Sequence, residues 1–222
     1  MSARRKLGVL ISGRGSNLAA LIQAYNGPHD PAEIAVVISN RPEAPGLQFA
    51  ETAGIPTQVI DHKKFASRAA FDSALDNTLR AAGVDLVCNA GFMRLLTPDF
   101  VEAWRDRQLN IHPSLLPAFR GLDTHERAIA AGVRISGCTV HFVRAEMDEG
   151  PIVAQAAVPV LPGDDAEALA ARVLRAEHRL YPWAVRLVAS EAAWVEGERV
   201  VYAPGVPQPE GVTLFAPALD GW

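Results

Sequence analysis

The chain has 222 residues, 49% hydrophobic and 21% charged, the balance of an ordinary globular protein, which excludes collagen-like, coiled-coil and wholly disordered classes. With 21 Lys+Arg against 25 Asp+Glu the formal net charge is −4, so there is no electrostatic footprint for nucleic acid, and small-molecule partners are expected instead. Cys88 and Cys138 stand in apolar, strand-like runs and read as core thiols of a reducing compartment. The apolar run at 7–11, after the basic MSARRK, is too short for a signal peptide or a membrane span, so a cytoplasmic protein with no membrane partner is expected.

In chain order, apolar β-rich runs at 6–11, 33–39, 57–60, 85–90 and 108–112 alternate with helical periodicity at 16–25, 46–53 and 68–82, and a further helix starts at Pro98. Gly83 reads as the C-cap of the third helix. Continuous apolar runs indicate parallel strands covered on both faces, and right-handed crossovers then give an α/β, doubly wound, mostly parallel sheet of Rossmann-related type. Two longer strands at 136–143 and 151–160, joined by the acidic loop 144–150, predict an antiparallel C-terminal hairpin. Asp164, with Glu167 three residues on, predicts the capped start of a helix whose apolar stripe runs Leu169, Val173, Ala176, Leu180. Residues 1–190 are expected to form one domain, with 191–222 as an extension whose last twenty residues, rich in Pro and Gly, form a loosely attached tail.

Three segments carry chemistry. Ser12-Gly13-Arg14-Gly15-Ser16-Asn17-Leu18 follows the first strand and opens the first helix. Its free amides and helix dipole make an anion pocket, the plainer reading being a glycine turn capped by Ser16. Leu18 stands where a dinucleotide fingerprint has its third glycine, and the second strand ends in Ser39-Asn40-Arg41 with no ribose-binding acid, so a phosphomonoester is favoured over NAD. In Gln108-Leu109-Asn110-Ile111-His112-Pro113-Ser114, strand alternation puts Asn110 and His112 on one face at a strand's C-terminal end. An amide and a protonated imidazole suit an oxyanion formed when a nucleophile adds to a carbonyl. Ser114 is a poor nucleophile candidate without a G-x-S-x-G elbow, so a substrate amine is the expected attacker. In the third segment Glu146, Asp148 and Glu149 each offer a carboxylate to His112, and spacing alone does not choose among them. A zinc site built from His112, His125, His141 and Asp148 lacks ligand spacing, and His62, His141 and His178 read as surface or core residues.

The strand followed by SGRGSNL and a helix, then AGFMRLL (90–96), LNIHPSLLP (109–117) and HFV-x4-D-x-GP (141–151), in this order, resembles the phosphoribosylglycinamide formyltransferase family over about residues 6–190. The resemblance implies a formyltransferase-like fold and formyl transfer from the co-substrate 10-formyltetrahydrofolate to glycinamide ribonucleotide in purine biosynthesis, with no metal, by a monomer or weak homodimer. It also implies a catalytic trio of Asn110, His112 and Asp148. The family's ribonucleotide contacts fall on Gly15, Ser16, Asn17, Leu174, Arg175, Ala176 and Glu177, with Glu177 placed to hold the amino group. Its folate contacts fall on Arg68, Met93, Arg94, Leu95, Leu96, Asn110, Arg144, Ala145, Glu146, Met147 and Asp148. Leu174, Glu149 and Ala118-Phe119-Arg120 depart from the pattern of some members. A folate hydrolase would carry a regulatory domain before this region, and a formyltransferase acting on aminoacyl-tRNA a basic domain after it. A phosphosugar-binding module would need only the first loop.

Overall fold

Alternating burial along the strands explains the architecture of the computed structural model, which describes residues 4–217. In β1 (Arg5–Ile11), Leu7, Val9 and Ile11 enter one apolar core, whereas Leu10 enters another on the opposite face. The same division in β2 (Ala32–Ser39) sends Val37 to the first core and Val36 and Ile38 to the second. A strand apolar on both sides has to be covered on both sides. Helices α1 (Ser16–Ala24) and α6 (Ala166–Ala189) close the first core with Leu18, Leu21, Leu169, Val173 and Val185. Helices α3 (Arg68–Ala81) and α4 (Pro98–Ala103) supply Phe71, Leu75, Leu79 and Phe100 to the second. Each such leucine, fully removed from water, contributes about 2 kcal/mol.

With β3 (Thr57–Val59), β4 (Leu86–Asn89), β5 (Gln108–His112), β6 (Ile135–Phe142) and β7 (Ile152–Pro159), the main sheet has the order β3-β2-β1-β4-β5-β6-β7. Neighbouring strands are parallel through β5 and antiparallel from β5 to β6 and from β6 to β7. This is the doubly wound, mostly parallel sheet with an antiparallel hairpin that the strand pattern predicts. The shorter helix α2 (Leu47–Thr52) lies in the crossover from β2 to β3, and α5 (Thr124–Ala130) lies in the connection between the antiparallel neighbours β5 and β6. Among the described residues no helix is long and apolar enough to cross a membrane.

Several local expectations need correction. The N-cap of α6 is Asp165, whose side chain accepts from the Ala168 amide, because Asp164 is drawn away by Arg172 at 2.6 Å and by the Leu161 amide at 2.7 Å. The fully buried stripe of α6 runs Leu169, Val173, Glu177, Tyr181, with Ala176 and Leu180 at its half-buried flank. In the extension after 190, ahead of the expected tail, β8 (Ala193–Glu196) and β9 (Arg199–Tyr202) form a second, two-stranded sheet tied to β7 by the Tyr202 hydroxyl on the Val153 carbonyl, 2.7 Å. Residues 203–217 carry no helix or strand and are mostly exposed. The remaining part of the expected tail, 218–222, and the first three residues of the basic start lie outside the described residues.

Candidate active site

Register between β5 and β6 sets the polar groups of the site. In this antiparallel ladder Asn110 faces His141 and His112 faces Thr139, and directly opposed side chains in such a pair touch. Leu109 and Ile111, of opposite parity, enter the first core. Thr139 fixes the chain beyond His112: its hydroxyl donates to the Ser114 carbonyl at 2.7 Å and accepts from the Leu116 amide at 3.0 Å. The chain then turns back so that the Phe119 carbonyl lies 3.0 Å from His112 Nε2.

Asp148 reaches the same place from the acidic loop between β6 and β7. Gly150 lies so close to the Phe142 carbonyl that no side chain fits there, which pins the end of the loop. Asp148 itself adopts a left-handed backbone, φ 58°, a conformation that Asp tolerates better than most residues. Its Oδ2 accepts from the Gly121 amide at 2.9 Å and lies 3.5 Å from His112 Nδ1, while Oδ1 lies 3.8 Å from His141 Nε2. Asn110 Nδ2 lies 3.2 Å from that same Nε2. Asp148, distant in sequence from Asn110 and His112, thus converges with them, and all three side chains are mostly buried. Glu146 is exposed and Glu149 pairs with Arg120, so of the three carboxylates in the acidic loop only Asp148 stands at His112.

Helix α1 begins at Gly15, a left-handed N-cap (φ 73°) with no side-chain hydrogen bond, so Ser16 is the first helical residue and not the cap. An N-terminus without a side-chain cap leaves amides pointing outward, the usual seat of an anion. One residue further in, buried Asn17 donates to Glu177 Oε2 of α6 at 2.7 Å, leaving its Oδ1 buried without a partner among the described residues. Burial pushes the Glu177 carboxyl above the ordinary range, opposed by the Asn17 hydrogen bond and by nearby His112. Glu177 therefore lies between the uncapped helix and the trio.

The remaining expected positions divide. Met93, Leu95 and Met147 are 61%, 58% and 53% exposed, an unusual display of large apolar side chains beside a polar site. The Met93 amide donates to Ser12 Oγ at 2.8 Å, tying that loop to the start of α1. Leu96 is half-buried against the second core, and the Arg94 guanidinium lies over the Phe71 ring at 4.7 Å. Arg68, first in α3 after its N-cap Ser67, is exposed and unpaired among the described residues; Ala145 is also exposed. The Arg144 side chain is turned away to Asp106 and Glu198, at 2.7 and 2.8 Å. Leu174 is half-buried. Arg175 and Ala176 are not brought to the trio: with Arg172, Arg179 and Trp183 they line a separate groove of about 770 Å³ between α6 and β7. Among the described residues no three His, Cys, Asp or Glu side chains gather at metal-binding spacing.

Sequence reasoning placed His141 among surface or core residues, and it is indeed core, yet it also touches Asn110 and Asp148. The readable signal was two polar residues, Thr139 and His141, on alternate positions at the end of the strand, with Val140 and Phe142 apolar between and after them. The carbonyl of Phe119 and the amide of Gly121 left no side-chain signal at all.

The chain is similar to several known proteins. A sequence profile of the formyl transferase family matches residues 5–185. The trifunctional purine biosynthetic protein adenosine-3 of Gallus gallus is 54% identical over 190 residues, 86% of this chain but 19% of that protein, so the chain spans about a fifth of that relative. The phosphoribosylglycinamide formyltransferase of Escherichia coli (strain K12) is 43% identical, with 86% of this chain and 94% of that protein covered. Among solved structures, glycinamide ribonucleotide transformylase 1 from Symbiobacterium toebii superposes with a TM-score of 0.87 at 51% identity, covering 90% of this chain and 94% of that one.

Proposed function

The chain belongs to the formyl transferase family, and from that premise we propose that it transfers the formyl group of 10-formyltetrahydrofolate to the amine of glycinamide ribonucleotide in purine biosynthesis. The observation that carries this reading is the meeting of His112, Asp148 and Asn110 beside the uncapped start of α1. The relatives' names supply the acceptor and the pathway. The phosphate belongs at the amides of Gly15, Ser16 and Asn17, whose N–H groups donate to its oxygens at the uncapped start of α1. Glu177 is placed to hold the cationic form of the amine. The exposed Met93, Leu95 and Met147 fit a flat, largely apolar ring such as a pterin.

Proton positions follow from the partners. A carbonyl only accepts, so His112 Nε2 carries hydrogen toward Phe119, and Nδ1 is the nitrogen left to face Asp148 and the substrate. When protonated, Nδ1 donates to the formyl oxygen as charge builds there, and an Nδ2 hydrogen of Asn110 donates alongside it. The amine nitrogen bonds to the formyl carbon, the bond from that carbon to folate N10 then breaks, and the proton lost by the amine is carried by way of Asp148 and His112 to the leaving nitrogen. No acyl-enzyme is formed.

The test is an absorbance assay for tetrahydrofolate with glycinamide ribonucleotide present or omitted. Product that depends on the ribonucleotide is the expected result. Equal product without it would make the protein a hydrolase. Heat stabilisation by the ribonucleotide with no product would leave only a binding module.

A further inference from the structure

His141 is 2% exposed in β6, and an imidazole buried this deeply is costly unless both ring nitrogens find partners. Both do. Nδ1 lies 3.0 Å from the Phe142 carbonyl and Nε2 lies 3.2 Å from Asn110 Nδ2. The carbonyl can only accept, so Nδ1 carries the hydrogen, and the neutral ring then offers a lone pair at Nε2. Asn110 has to answer with its NH2 group; turning Oδ1 to that nitrogen would set two lone pairs against each other. A second consequence concerns Asp148, flanked by His112 Nδ1 at 3.5 Å and His141 Nε2 at 3.8 Å. Both rings have their far nitrogen tied to a carbonyl, Phe119 for one and Phe142 for the other, so both near nitrogens compete for one proton. His141 is the deeper ring, and its lone pair is already taken by Asn110.

We propose that His141 is a positioning residue: as a neutral ring with hydrogen on Nδ1 it holds one Nδ2 hydrogen of Asn110, leaves the other for the oxyanion, and leaves His112 as the proton partner of Asp148. The inference rests on the trio reading given above. Burial holds the ring's pKa below the ordinary histidine value, in keeping with the neutral form. The titratable groups that face it are Asp148 from the following loop and His112 from β5, while β7 presents Ile152 opposite it. Protonation at Nε2 in acid would expel the Asn110 amino group and draw Asp148 away from His112.

His141→Leu and His141→Gln test this, because the glutamine carbonyl can accept from Asn110 where leucine cannot. The leucine variant should lose about 10- to 100-fold in kcat with both KM values within about threefold, and the glutamine variant should recover most of that loss. The glutamine variant should also shift the acid limb of the kcat profile, since its side chain does not titrate. In the wild-type protein, nitrogen NMR of the imidazoles should show hydrogen on Nδ1 and a lone pair on Nε2 of His141 throughout the active pH range. A folded leucine variant with wild-type kcat, a glutamine variant no better than leucine, or a spectrum with hydrogen on Nε2 would each overturn the proposal. Should the leucine variant not fold, the glutamine variant and the spectrum decide. A wild-type protein that forms no formylated product would instead sink the functional reading, and the spectrum would still judge His141.

Discussion

At the scale of single residues, the two nitrogens of His112 have different work, and substitutions can separate it. His112→Ala removes the imidazole, and Asp148→Asn removes only a charge, since Asn tolerates the left-handed backbone at 148 and can still accept from the Gly121 amide. Both should lower kcat by roughly 10²-fold or more in steady-state assays with little change in thermal midpoint; near-normal turnover in either folded variant would remove that residue from the mechanism. Asn110 and His112 were legible because they are two positions apart on one strand. Asp148 was singled out from its acidic neighbours only by resemblance, because the distance from a loop to a strand end has no signature in spacing. His141 was missed as a neighbour of the site because strand register depends on where two chains meet, which neither strand encodes alone.

At the scale of elements, the start of α1 depends on glycine. Gly15 has φ 73°, and a Cβ there would come within 2.5 Å of the Gly46 Cα. Gly15→Ala should cost about 1–2 kcal/mol in denaturant unfolding, and should raise KM for the ribonucleotide more than for the folate, because the displaced amides belong to the phosphate side. At α6, Asp165→Ala should cost about 1 kcal/mol, whereas the expected cap, Asp164, acts instead through Arg172. Two adjacent aspartates both satisfy a capping pattern, and only the arginine one helical turn pair further on decides between them. Strands β1, β2, β4, β5 and β6 of the main sheet were legible because nearly continuous burial leaves apolar runs. The β8–β9 hairpin was not, since its strands are four residues each and half-exposed.

At the scale of the whole molecule, Asn17 and Glu177 join the first helix to the last across the first core. The folded Glu177 carboxyl titrates above its unfolded value, so as pH rises from that unfolded value through the folded one, the unfolded chain releases its proton first and stability falls. Glu177→Gln should remove this part of the fall, seen as a flatter thermal midpoint against pH, while weakening ribonucleotide binding. A midpoint profile unchanged by the substitution would show that the carboxyl does not titrate in that way. The hairpin after α6 is bound in as well: Arg144, at the root of the loop bearing Asp148, is held by Asp106 before β5 and by Glu198 between β8 and β9. One guanidinium therefore ties together three segments remote in sequence, and neither contact involves the trio. In the evolutionary history of such chains, positions 106, 144 and 198 should drift as a linked set, a change of sign at one being tolerated only after a matching change at another.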